Sequence, residues 1–113
     1  MSYNPVPNPL GSQPTYSAPG TYTPGSTVDG RAYARVEFFC SVAPTTAYPI
    51  QWDDGSGTWP SATATLTSAS GVVTYAQTAV PIGFTGRVTL AGGLYVRLAN
   101  TGAGATFTSF EGQ

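Results

Sequence analysis

The sequence predicts an all-β fold: an antiparallel β-sandwich or jelly-roll-like domain of about seven short strands, led by an extended N-terminal arm. Three observations carry that expectation. Residues 32–42, AYARVEFFCSV, alternate with period two. Short apolar runs recur between Gly, Pro, Asn and Ser turn signals along the rest of the chain. Prolines crowd the first 26 residues, and no window shows a helical period.

The arm comes first. Residues 1–26 hold Pro5, Pro7, Pro9, Pro14, Pro19 and Pro24, more than half of the chain's 10 prolines. Proline lacks the N–H that helices and inner strands need, so this stretch is expected to be extended and to form no core alone. It carries no charge, yet it bears Tyr3, Val6, Leu10, Tyr16 and Tyr22. One reading is a terminal linker. The other is an arm that orders against a neighbouring surface through those five side chains, since proline-stiffened chain loses less freedom on docking. The expected boundary puts the arm at residues 1–26 and the β domain at residues 27–113.

Within the domain, residues 32–42 form the central strand, with Ala34, Val36, Phe38, Cys40 and Val42 on one face and Tyr33, Arg35, Glu37, Phe39 and Ser41 on the other. Residues 47–52, AYPIQW, read as a short strand that Pro49 confines to an edge or a bulge. Residues 52–60, WDDGSGTWP, are a loop. Residues 61–68 alternate Ala62, Ala64 and Leu66 against threonines. A turn at 69–71 leads into residues 72–80, VVTYAQTAV, read as one strand. RVTL at 87–90 meets GLYVRLAN at 93–100 across Ala91, Gly92 and Gly93, the pattern of a tight hairpin. ATFTSF at 105–110 supplies the last strand.

Composition narrows the chemistry. Charged residues are 8% of the chain, the net charge is −1, and there is neither lysine nor histidine. Four scattered arginines give no footprint for nucleic acid or an anionic membrane. No run approaches the length of a membrane-crossing helix, and MSYNPVPNPLGSQ shows no signal-peptide pattern, so synthesis in a cytoplasm is expected. Without histidine or lysine, the usual general base and Schiff-base amine are missing, and zinc loses a main ligand. The single cysteine, Cys40, sits on the apolar face of the central strand and is expected to be an inert buried thiol. Neither an enzyme nor a cofactor is expected.

The loop offers the one cluster with chemical character. Asp53 and Asp54 on a glycine-rich turn invite comparison with calcium ligation, but the spaced third carboxylate and late glutamate are missing, which favours a hydrophilic turn. Trp52 and Trp59 flank it. They either staple the loop to the core or form an apolar platform that, with Asp53 and Asp54 as acceptors, suits a sugar ring or a partner side chain.

The uncharged leader MSYNPVPNPLGSQPTYSAPGTYTPG, followed by a small Thr/Gly/Ala-rich β domain ending in GLYVRLANTGAGATFTSF, resembles small structural proteins of tailed bacteriophage virions. Head decoration or cement proteins and short fibre or tail components share this layout. The likeness is one of composition and layout over the whole chain, and it carries no functional residue with it. It implies a virion location, self-association as a homotrimer, and an arm that bridges to the major capsid protein or another virion protein. The alternative is a carbohydrate- or receptor-binding fibre or tail module working through the loop from Trp52 to Trp59.

Overall fold

The computed structural model describes residues 16–99 and 106–112, with side chains over residues 22–99. Ten strands follow in chain order: β1 (Tyr16–Tyr22), β2 (Val28–Asp29), β3 (Arg35–Val42), β4 (Tyr48–Asp53), β5 (Ala64–Ser68), β6 (Val73–Gln77), β7 (Ala79–Val80), β8 (Gly86–Ala91), β9 (Tyr95–Leu98) and β10 (Thr106–Gly112). They form a six-stranded sheet, β1-β10-β3-β8-β5-β6, and a four-stranded sheet, β2-β9-β4-β7. Every pairing is antiparallel. The all-β expectation holds, and no helix occurs among the described residues.

The core is the set of side chains that alternation turns inward from both sheets. From the six-stranded sheet come Val36, Phe38 and Cys40 of β3, Val88 and Leu90 of β8, and Ala64 and Leu66 of β5. Facing them are Val28 of β2, Tyr48 and Ile50 of β4, Val80 of β7, and Val96 and Leu98 of β9. Apolar faces of two sheets bury each other because neither can be covered by water without cost. β3 lies inside its sheet, between β10 and β8. Phe38 at its middle is fully buried, and its ring centroid lies 4.7 Å from that of Tyr22.

Four local expectations change. The arm does not end at residue 26: β1 pairs with β10 in the six-stranded sheet, and Tyr22 is a core residue. Pro19 is tolerated because β1 is an edge strand, where a missing N–H interrupts no ladder on its open side. Pro49 does not place its strand at an edge, since β4 lies between β9 and β7. The β4–β9 ladder begins at Ile50↔Leu98, and beyond it the Pro49 carbonyl still accepts the Ala99 N–H at 2.9 Å. Proline is therefore accommodated just past the end of the β4–β9 ladder, while on the other side it sits opposite Ala79 of β7 and the next residue, Ile50, donates to Thr78 O.

Residues 72–80 split in two. β6 pairs with β5, whereas β7 pairs with β4, so the chain changes sheets at Thr78, whose carbonyl accepts the Ile50 N–H at 2.9 Å. The connection at 91–93 is likewise no hairpin. β8 belongs to the six-stranded sheet and β9 to the four-stranded one. The Gly92 N–H is donated to Ala34 O at 2.8 Å and the Gly93 N–H to Gly30 O at 2.9 Å, which ties the turn to the loop before β3 instead of closing a two-strand ribbon. A Cβ on Gly92 would collide with the Tyr33 carbonyl, so only glycine permits this approach.

Candidate functional site

The loop after β4 is organised by Asp53, which is 4% exposed. Its Oδ1 accepts N–H groups from Gly57 and Thr58 at 3.0 Å and from Trp59 at 3.5 Å, and its Oδ2 accepts those of Gly55 and Gly57 at 3.0 Å. Ser56 Oγ lies 3.5 Å from Oδ1. Burial alone would raise this carboxyl, but the N–H groups of Gly57, Gly55, Trp59 and Thr58 outweigh it and hold the pKa below the ordinary value of 3.8. Backbone dipoles thus point their positive ends at the carboxylate, the opposite of the oxygen-lined shell a cation needs. No group of three or more potential metal ligands occurs among the described residues. The hydrophilic-turn reading is the one this geometry fits, with Asp53 closing the loop on itself. Asp54 stays exposed and accepts the Ser56 N–H at 3.0 Å.

The two tryptophans part company. Trp52, half-buried, packs against the core from the inner side of β4. It lines a depression of about 300 Å³ with Ala62, Leu90, Leu94 and Val96. Trp59 lies on the outer side. Its backbone adopts φ 49, and its ring lies 4.0 Å beneath the Arg97 guanidinium. Arg97 alternates with the buried Val96 and Leu98, so it points away from the core, and its Nε donates to Gln51 Oε1 at 2.8 Å. One ring therefore faces into the sandwich and the other away from it. They do not form a common platform with Asp53 and Asp54.

The outer face of the four-stranded sheet carries a second arginine–aromatic stack. Arg31 lies 4.6 Å from the Tyr95 ring centroid and forms two side-chain hydrogen bonds of 2.9 Å with Asp29. Those hydrogen bonds from Arg31 hold the Asp29 carboxyl down at about 2. Adjacent stacks make a polar, aromatic surface whose charges are already partnered.

Of the five arm anchors expected from sequence, Tyr3, Val6 and Leu10 lie outside the described residues. Tyr16 begins β1, paired with Gly112, and its side chain also lies outside them. Tyr22 is not an anchor for a partner. It is buried, its hydroxyl donates to Ser26 O at 2.6 Å and accepts the Leu98 N–H at 3.2 Å, and it joins the arm to the core. Cys40 is buried as expected, and burial pushes its thiol up to about 11.

One feature was not legible in the sequence. β6 is the last strand of its sheet, and no residue in it is buried. Val72 is 63% exposed, Tyr75 73% and, in the turn after β7, Ile82 67%. The alternating VTYAQ of β6 ought to bury one face, so only the pairing could reveal that it does not. No protein-family model, no curated protein and no solved structure matches the chain.

Proposed function

We propose that this chain is a non-catalytic structural protein of a virion, a capsid decoration or cement protein that self-associates and docks on the shell through its N-terminal arm. The observation that carries the reading is the exposure of Val72, Val73 and Tyr75 along the edge strand β6, with Ile82 exposed as well, on a chain with only 8% charged residues. Free monomers keep charge on the surface and avoid such exposure, whereas a subunit of an assembly covers it. The reactive groups support the same reading: the thiol of Cys40 is buried, and the carboxylate of Asp53 is saturated by its own loop. The homotrimer, the major capsid protein as partner and the virion location follow from the resemblance and belong to this proposal. Trp52 turned toward the core and Trp59 stacked under Arg97 offer no shared platform, which favours the assembly reading over a carbohydrate-binding module at this loop.

The test removes residues 1–15 and leaves β1 in place, because β1 belongs to the sheet and Tyr22 to the core. The shortened chain is expected to keep its β-rich circular dichroism and to stop co-sedimenting with the particle shell. Undiminished co-sedimentation would refute docking through the arm.

A further inference from the structure

The six-stranded sheet ends on β6, whose first residues have no covering strand among the described residues. β6 has neither charge nor proline, and its neighbour on the other side, β5, is its only partner strand. Ser68 and Val72 share a backbone hydrogen bond, and Thr74 pairs with Leu66, so the groups of Val73 point the other way, into the open. Past Thr74 the Tyr75 carbonyl accepts the Gln77 side-chain amide at 3.0 Å. A register shift opposite Thr65, with Ala76 at φ 55, limits the regular edge to the residues before it. Natural sheets protect such edges with charge, proline or a cover. The opposite edge, β1, has Pro19 and a register shift of its own.

The sequence contains a strand suited to this edge. In NPVPNPL, residues 4–10, prolines occupy every second position at 5, 7 and 9. Alternate residues of an extended chain direct their N–H groups to opposite sides. The segment therefore has one side with donors, from Asn4, Val6, Asn8 and Leu10, and one side with none. Such a strand can pair with an open edge and leaves no donors for a further strand. Residues directly opposite in an antiparallel pair also project side chains to the same face, which places Val6, Asn8 and Leu10 on the face of Val73.

Chain length decides whose arm it is. A strand added beyond β6 lies six strand spacings from β1, about 29 Å at about 4.8 Å each. The six residue steps from Tyr16 back to Leu10 span at most about 22 Å when fully extended. A chain's own residues 4–10 cannot reach its own β6 edge.

We infer that residues 4–10 of one copy add as an extra strand to the β6 edge of a second copy, centred on the outward-facing backbone groups of Val73. The contact is head-to-tail, so successive copies close into a ring or extend into a row. The inference goes beyond shell docking; it draws on the same arm but is read by self-association instead of co-sedimentation. A chain that self-associates in this way but ignores the shell refutes the shell proposal alone.

Complementation between two variants of the full chain tests it, read by native mass spectrometry. Val6→Pro removes a donor from the arm and leaves the edge intact; Val73→Pro does the reverse, and its lost N–H points away from β5. Wild type is expected to be oligomeric, each variant alone monomeric, and their mixture a one-to-one dimer, since one brings a competent edge and the other a competent arm. Oligomers that survive Val6→Pro would mean pairing of β6 with β6 and would overturn the inference. A monomeric wild type, or a mixture that stays monomeric, would overturn it as well. If Val73→Pro fails to show native circular dichroism, Tyr75→Lys replaces it and places a charge on the same edge.

Discussion

β3 and β6 begin from similar sequences and end in opposite environments. Both carry β-branched and aromatic residues, RVEFFCSV and VTYAQ, and both lie in the six-stranded sheet. β3 has a strand on either side and the four-stranded sheet against its inner face, so Val36, Phe38 and Cys40 are lost to solvent. β6 has one neighbour and contributes no residue to the core. The comparison teaches that burial here is a property of position in the sheet order. A strand's alternation states only which side chains would be buried together if a layer covered them.

The sharpest way to break the contrast is to empty the β3 side. Phe38→Ala removes a fully buried ring that packs on Tyr22 and is expected to cost about 3–5 kcal/mol in urea unfolding. Next comes the bond that ties the arm to the core. Tyr22→Phe keeps the ring but deprives Ser26 O and the Leu98 N–H of their partner, an expected loss of about 1–3 kcal/mol. A change near zero would return Tyr22 to the arm.

The Asp53 loop, which belongs to neither strand, is read out through pH. Its folded pKa lies below 3.8, so the unfolded chain takes up the proton first on acidification. The stabilisation is therefore complete above 3.8 and drains away as pH falls through the lower, folded value. Asp53→Asn is expected to melt below wild type at neutral pH, with the gap closing as the solution is acidified past that point. A gap that persists unchanged in acid would mean that the charge of Asp53 is not what orders the loop.

The smallest effect belongs to the β6 side. Val72→Thr, at a position 63% exposed, is expected to shift stability in dilute solution by no more than about 0.5 kcal/mol. A loss approaching that of a core truncation would show that Val72 is covered even in the isolated chain.

The faces of β3 and β5 were legible because alternation is local: Val36, Phe38, Ala64 and Leu66 can be assigned inward from a few neighbours in sequence. The loop at 54–60 was legible from its glycines and aspartates. The role of Asp53 within it was not, because a carboxylate that binds a ligand and one that binds its own loop have the same sequence. The separation of Trp52 from Trp59 escaped for a related reason. It depends on which side of β4 the returning chain passes, and residue spacing leaves both sides open.

By itself, then, the sequence determined that the chain would form short strands, which of their side chains would face together, and that histidine or lysine chemistry had no place in it. Only the tertiary structure decided that the chain crosses between sheets at Thr78 and at Gly92–Gly93, that Tyr22 joins the core, and that β6 ends its sheet uncovered. The reason lies in the backbone. Side-chain alternation distinguishes one strand face from the other, but every non-proline residue presents the same N–H and C=O to a neighbour, so the choice among distant partners is made by how all the strands pack at once.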